Sequence, residues 1–412
     1  MKPRALWRWL SSITYRRALE TRRHIRRLFK AQRDLLCEEA LTESTGSLRR
    51  LTDCLRQGAP NQEIKDALAD LKSCSEAWLY DNSKSLVREA SEMFVVAMIV
   101  VMGMRTFFVL PMTIPSGSME PTLAGVKVRN LNRDPEFVIP TGLSAVWNWW
   151  FHGKRYYRVI CESKGAFQQI EQPEPIHPWL AGIKSLRKQR FMIGNHWHTL
   201  WFPPTDLPNP QGFPAHFIVF LYAGVKPDRV YHPGEAIINI EVSPGDHVLV
   251  NRLSYNFSKP KRGDIVVFTS YGLPALQPET HYIKRLVALG GDKVRIGDDQ
   301  HLVINGKRMA DDTPGFEKVY NIVGAPREGV YSGYVNDAVA AFFGGGTNVL
   351  APKFRTAKQE QRVPPNHYYV FGDNTMNSYD SRRWGELPSE NVIGKLWMVY
   401  WPFSRRYGWG QD

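Results

Sequence analysis

Three stretches of the chain hold residue types that can do chemistry. In IPSGSMEPTL, residues 114–123, Ser116 and Ser118 flank a glycine between two prolines. Proline fixes φ and glycine permits unusual backbone angles, so Pro115, Gly117 and Pro121 describe a tightly shaped loop. A serine hydroxyl held still in such a loop is a candidate nucleophile, although a Ser-Gly-Ser turn is also an ordinary connection. In YIKRLVAL, residues 282–289, strand alternation puts Tyr282, Lys284 and Leu286 on one face and Ile283, Arg285 and Val287 on the other. Lys284 among such neighbours is either a surface residue whose amine snorkels to water or a desolvated amine of lowered pKa. The third stretch, FGDNTMNSYDSRRWG at 371–385, is dense in small polar and turn-forming residues. Taken alone it reads as a loop carrying an Asp–Arg ion pair.

The elements that must position these groups begin with a hydrophobic run just upstream of the first serine. Met93 to Met104 carries no charge, and counting past Arg105 to Pro111 gives a segment about one bilayer thick at helical rise. Arg105 lies near its far end, where a long side chain reaches the interface. Residues 93–111 are therefore expected to form a single membrane anchor. The formal charge of +13 is concentrated upstream of it, with 11 Lys or Arg against one acid in residues 1–33. That asymmetry reads as the positive flank of a cytoplasmic N-terminus and as attraction to anionic headgroups, which places everything after Pro111 outside the cytoplasm. No nucleic-acid motif accompanies the charge, and nucleic acid is not expected as a partner.

Residues 1–92 are expected to be a basic, helical cytoplasmic region. Ile25, Leu28, Phe29, Leu35 and Leu36 follow helical spacing, and Ile64, Ala67, Leu68, Leu71, Cys74 and Trp78 do so after the breaker GAPN at 58–61. LWRWL at 6–10 suits a membrane interface. Beyond the anchor the pattern turns to short alternating segments at 247–255, 264–268, 282–289, 293–296, 301–306, 367–372 and 395–401, without βαβ alternation. The fold class expected is mainly β, with antiparallel sheets. Residues 124–244 differ in texture, rich in aromatics and prolines. Trp147, Trp149, Trp150 and Phe151 within them suit either the outer leaflet or a small local core. His196 and His198 would share a strand face, an H-x-H pair better suited to a structural or interfacial role than to a metal, because no third ligand is suggested nearby. Cys37, Cys54 and Cys74 fall before the anchor and Cys161 stands alone after it, so neither a disulfide framework nor a zinc site is indicated.

Taken together the three stretches resemble the type I signal peptidase family. Ser116-Gly117-Ser118-Met119 with Pro121-Thr122-Leu123 is similar to its serine box, and Gly245-Asp246-His247-Val248-Leu249-Val250-Asn251-Arg252 to the box that follows. Lys261-Arg262-Gly263-Asp264 through Tyr282-Ile283-Lys284-Arg285, then Gly291-Asp292-Lys293, resembles the lysine box. Gly372-Asp373-Asn374, Asn377-Ser378 and Asp380-Ser381-Arg382 resemble the last. The resemblance implies a membrane-anchored serine endopeptidase of antiparallel β fold that removes signal peptides from secretory preproteins. It implies Ser118 as nucleophile, neutral Lys284 as general base, Ser378 orienting the amine, and Ser116 with the Ser118 N–H stabilising the oxyanion. Asp380 and Arg382 would be a supporting ion pair, and Ile114, Met119, Tyr282 and Ile283 would line the pockets for small side chains. No metal and no cofactor are implied. Expected partners are signal peptides, membrane lipid and the export machinery, and the expected location is the inner membrane, crossed once. The domain division that follows is 1–92, 93–111, a peptidase domain from 112–123 and 245–412, and an insertion at 124–244 that departs from the family's usual short connection. Two rival readings are a soluble self-cleaving Ser–Lys repressor, which the anchor disfavours, and a non-catalytic envelope scaffold binding partners through residues 124–244.

Overall fold

A computed structural model describes residues 12–79, 86–134, 136–180, 182–183, 185–209, 212–320, 332–343 and 349–409. The chain divides into two compact units, Met1–Met102 and Gly103–Asp412. The LWRWL stretch lies outside the described residues.

The first unit holds helices α1 (Ile13–Gln32), α2 (Glu38–Gln57) and α3 (Asn61–Trp78), and most of α4 (Leu86–Gly103). Ala18, Ile25, Leu51, Leu55, Ile64, Ala67 and Leu71 make its buried core. Two helices were expected before the apolar run, and three are present among the described residues. The one missed, α2, buries Ala40, Ser44, Leu51 and Leu55, a helical stripe whose first half is too small and polar to read as apolar. It ends at Gly58 in the left-handed region, whose N–H caps the Cys54 carbonyl, so GAPN works as the expected breaker.

Helix α4 continues through a wider π turn at Met104–Phe108, and Glu89–Phe108 is the one described helical segment long and apolar enough to cross a membrane. The expected span to Pro111 is too long at this end. Val109–Thr113 is strand β1, paired antiparallel with residues 247–251, because that backbone finds its hydrogen bonds in a sheet.

In the second unit β1 is followed by β2 (Lys127–Asn130), helix α5 (Gly142–His152), β3 (Arg155–Ile160), β4 (Gly165–Ile170), β5 (Arg187–Ile193), β6 (His196–Trp201), helix α6 (Ile218–Ala223) and β7 (Ala236–Ser243). Then come β8 (His247–Asn251), β9 (Ile265–Thr269), β10 (His281–Ala288), β11 (Lys293–Ile296), β12 (Leu302–Ile304), β13 (His367–Phe371) and β14 (Val392–Trp401). The main sheet runs β1-β8-β14-β9-β10-β13 with a short strand at Leu387–Pro388, and all its described pairings are antiparallel. Strand β8 stops short of the expected Tyr255. The Asn251 side chain accepts the N–H groups of Leu253 and Ser254, turning the chain into a short helix at Ser254–Phe257.

Residues 124–244 build a three-stranded sheet, β2-β7-β3, and a sheet containing β4, β5 and β6. Their core contains Phe191, Ile193, Leu200, Phe220, Ile238, Ile240 and Val242. Trp147, Trp149 and Trp150 are exposed on α5, so the reading of them as a local core is corrected: aliphatic strand residues and Phe191 and Phe220 fill that space instead. His198 is buried and stacked on Phe191, and burial pushes its pKa down, whereas His196 at the strand's start is exposed. The thiol of Cys161 is buried and donates to the Ser163 carbonyl.

Candidate active site

Ser118 sits in a single 3₁₀ turn, Gly117–Met119, that leaves β1 through Ile114 and Pro115. Lys284 stands mid-strand on β10, between β9 and β13, with Val266 as its cross-strand partner. The fold brings them together: Lys284 Nζ donates to Ser118 Oγ at 2.7 Å and to its neighbour's carbonyl, Ile283 O, at 3.1 Å. Lys284 is 4% exposed and Ser118 8%. Burial pushes the amine down to about 8, against the pull of the Asp380 and Asp373 carboxylates. Of the two readings open for Lys284, the snorkelling one is excluded. A lysine with that pKa is neutral in about one molecule in ten at pH 7, against fewer than about one in a thousand for a free side chain.

Ser116 Oγ lies 3.3 Å from Ser118 Oγ, on the exposed side of the turn. Ser378 departs from its expected role. Lys284 has no hydrogen bond to it, and Ser378 Oγ meets no partner at hydrogen-bonding geometry, although it lies close enough to Asp380 to help keep that carboxyl low. The hydroxyl is packed against the backbone of Gly372 instead. A Cβ at Gly372 would come within 2.3 Å of Ser378 Oγ and 2.4 Å of the Ser118 carbonyl oxygen, so only glycine lets the three segments approach this closely.

Asp380 and Arg382 form a fully buried pair at 2.8 Å. Burial by itself would raise the Asp380 carboxyl, but the Arg382 guanidinium and the Gly372 N–H hold it below the ordinary range. Ile114, Met119 and Ile283 meet in one apolar cluster beside the serine turn. Tyr282 does not join them. Alternate strand residues face opposite sides, and its ring stacks on Phe268 at 5.9 Å across the sheet from that cluster. Of the four residues expected to line a substrate pocket, Ile114, Met119 and Ile283 are brought together and Tyr282 is not.

The structure adds residues that motif reading quoted without a role. The Asp373 carboxylate accepts Thr122 Oγ1 at 2.5 Å and the Arg285 guanidinium at 2.8 and 2.7 Å. Arg285 also donates to the carbonyls of Gly263 and Gly315. Asn374 donates its backbone N–H to the Ser118 carbonyl and its side-chain amide to the Gly117 carbonyl. Thr122, Arg285, Asp373 and Asn374 therefore tie the serine turn to the lysine strand. Arg285 carried a signal for this, since a guanidinium sharing a strand face with Ile283 and Val287 is buried and demands a carboxylate.

The arrangement is a serine hydroxyl within proton-transfer distance of an amine that can be neutral near physiological pH, flanked by a second hydroxyl and an apolar cluster. The family model described as signal peptidase, peptidase S26, matches residues 213–401, which include Lys284 and the 371–385 turn but not the serine loop. Signal peptidase I of Pseudomonas fluorescens is 31% identical over 218 residues, covering 46% of this chain and 71% of that protein. Signal peptidase I of Aquifex aeolicus is 34% identical, covering 38% of this chain and 69% of its own length. The thylakoidal processing peptidase 1 of Arabidopsis thaliana is 32% identical over 39% of this chain and 38% of its own. With more than two thirds of two bacterial relatives matched at this identity, the chain belongs to the signal peptidase family, peptidase S26.

Proposed function

We propose that the protein is a membrane-anchored serine endopeptidase that removes signal peptides from exported preproteins, with Ser118 as nucleophile and Lys284 as general base. The observation that carries this reading is the 2.7 Å contact between Ser118 Oγ and a buried amine whose pKa is pushed down to about 8. A substrate carbonyl seated at the turn is attacked by Ser118 Oγ, whose proton passes to Lys284 Nζ. The negative charge that develops on the carbonyl oxygen is met by Ser116 Oγ and the Ser118 N–H. As the tetrahedral species collapses, Lys284 returns the proton to the departing amine, leaving an acyl-enzyme on Ser118. Water then attacks with Lys284 again as base, the ester breaks, and the signal peptide leaves as a carboxylate. Ile114, Met119 and Ile283 favour small apolar side chains next to the cut bond.

In this reading Glu89–Phe108 anchors the chain in the inner membrane, the residues before Glu89 lie in the cytoplasm, and 112–123 with 245–412 form the peptidase domain outside it. Residues 124–244 are an insertion of that domain. Contacts with lipid and with the export machinery follow from this placement. A preprotein held in the bilayer by its own apolar segment then presents its cleavage site at the depth where Ser118 waits.

The direct test is cleavage of a preprotein with an Ala-x-Ala site by detergent-solubilised wild type and Ser118→Ala in parallel. Processing by wild type alone is expected. Processing by both would remove Ser118 from the mechanism, and processing by neither, on a substrate cut by another signal peptidase, would favour a scaffold of the same fold. The pH dependence is a second expected result. Only neutral Lys284 takes the serine proton, so kcat/KM should rise with pH and level off above an apparent pKa near 8. A limb near the free-lysine value would refute desolvation as the activating device.

A further inference from the structure

The exposed aromatic helix of the insertion is unused by the mechanism above. Helix α5, Gly-Leu-Ser-Ala-Val-Trp-Asn-Trp-Trp-Phe-His, holds no Asp, Glu, Lys or Arg. Its large apolar residues stand out into solvent: Leu143 is 90% exposed, Val146 57%, Trp147 58%, Trp149 52% and Trp150 62%. A contiguous apolar face of this kind marks a surface meant to be covered.

The helix is held rigidly from its other side. Trp401 Nε1 donates to the Trp150 carbonyl at 2.8 Å, and the Phe403 N–H donates to the Phe151 carbonyl at 2.9 Å. The Phe151 and Phe403 rings meet at 5.6 Å. Gly153 closes the helix in the left-handed region, at φ 66°, and an added Cβ there would lie 2.1 Å from the Trp401 ring. These contacts fix α5 to the end of β14 and turn its Trp and Leu residues outward.

What covers that face is indicated by its neighbour. A cavity of about 610 Å³ is lined by Thr113 together with Trp149, Trp150 and Trp401. Thr113 ends β1, which begins at Val109, the residue after the apolar segment Glu89–Phe108. Four residues of strand span only about 13 Å. The backbone there is pinned, with the Arg252 N–H on the Phe108 carbonyl and its guanidinium on that of Thr106. Phe107 and Phe108 are exposed too. Tryptophan favours the layer between lipid tails and water, and an uncharged, Trp-rich helix can lie in it.

We propose that α5 is an interfacial helix that beds into the bilayer surface near the end of the apolar segment at residues 103–108, so that the insertion sets the height of Ser118 above the lipid. The inference rests on the reading of Glu89–Phe108 as a membrane span. Its occupant is phospholipid, not a second copy of the chain.

The test uses the full chain with its four cysteines replaced by serine and Val146→Cys carrying an environment-sensitive fluorophore, reconstituted in phosphatidylcholine–phosphatidylglycerol vesicles. The expected result is blue-shifted emission that loses most of its intensity when brominated phosphatidylcholine is used, while the same label at exposed Asp312 is unaffected. Water-like emission from vesicle-bound protein would overturn the proposal. Blue-shifted emission without quenching by brominated lipid would also overturn it, in favour of a protein partner or a second copy. Failure of the chain to float with vesicles would instead sink the span. None of these readouts depends on cleavage, so loss of the peptidase reading is seen separately. Should the cysteine-free chain not fold, intrinsic fluorescence decides: brominated lipid must quench wild type more than Trp147→Ser/Trp149→Ser/Trp150→Ser, and equal quenching refutes the helix.

Discussion

Lys284→Met and Lys284→Arg should each lower kcat by about 10⁴-fold or more, because neither side chain can take the Ser118 proton near neutral pH. Their stabilities should differ in sign. The Lys284 amine titrates near 8 in the folded chain, below its ordinary 10.5. A lowered pKa for a base means that the folded state resists protonation, so stability falls as pH drops from 10.5 towards 8 and the cost is complete below 8. Methionine removes that cost. Lys284→Met should therefore be inactive yet more stable than wild type at pH 7, by roughly 3 kcal/mol before any loss of packing. The gain should shrink as pH rises through 8 to 10.5. Lys284→Arg places a permanently charged guanidinium in the same space and should be less stable than wild type at every pH. Thermal unfolding of the three proteins across this range, beside cleavage assays, separates the chemical from the structural role. A Lys284→Arg enzyme with near-normal turnover would disprove general-base catalysis by this residue.

Asp373→Asn is expected to have the largest structural effect of a single change at the site. Asp373 is fully buried, and its carboxylate holds the buried Arg285 guanidinium and the Thr122 hydroxyl at once. Removing its charge leaves Arg285 without a counter-ion in a dry interior, which costs about 3–5 kcal/mol. For a domain of this size that is a fall in Tm on the order of 10 °C. The same substitution should shift the pH profile. The Asp373 carboxylate raises the Lys284 pKa, so its neutralisation should move the rising limb of kcat/KM below 8. Unfolding measurements and the pH profile of surviving activity test both effects. Arg285→Met combined with Asp373→Leu should recover part of the stability, since a matched apolar pair leaves no orphaned charge. A stable Asp373→Asn protein with an unmoved pH limb would show that the network neither bears load nor reaches the lysine.

The sequence by itself narrowed the chemistry and laid out much of the scaffold. Residue type limits what a side chain can do, and alternation limits which face of a strand it occupies. Pro115, Gly117 and Pro121 marked a tightly shaped loop, and only the resemblance to the signal peptidase boxes singled out Ser118 within it. Lys284 stood out because its neighbours on the same strand face, Tyr282 and Leu286, are aromatic or apolar. The described β pairings in the 245–412 region are antiparallel because no long helices separate those strands. Helix α2 was harder to see, as its buried face begins with Ala40 and Ser44, which carry little hydropathy signal.

Only the tertiary structure decided which groups meet. Ser118 and Lys284 are separated by 166 residues in sequence and by 2.7 Å in space, and no local pattern encodes that distance. The lowered pKa is likewise a property of the surroundings, because desolvation depends on what the rest of the chain packs around the amine. Folding also assigned Asp373 to Arg285 and Thr122 and packed Ser378 against Gly372. The tryptophans of α5 show the same limit: their composition suited a core or a lipid surface equally well. Their exposure follows from which face Trp401 and Phe403 hold, with Trp401 reaching Trp150 across 251 residues of chain.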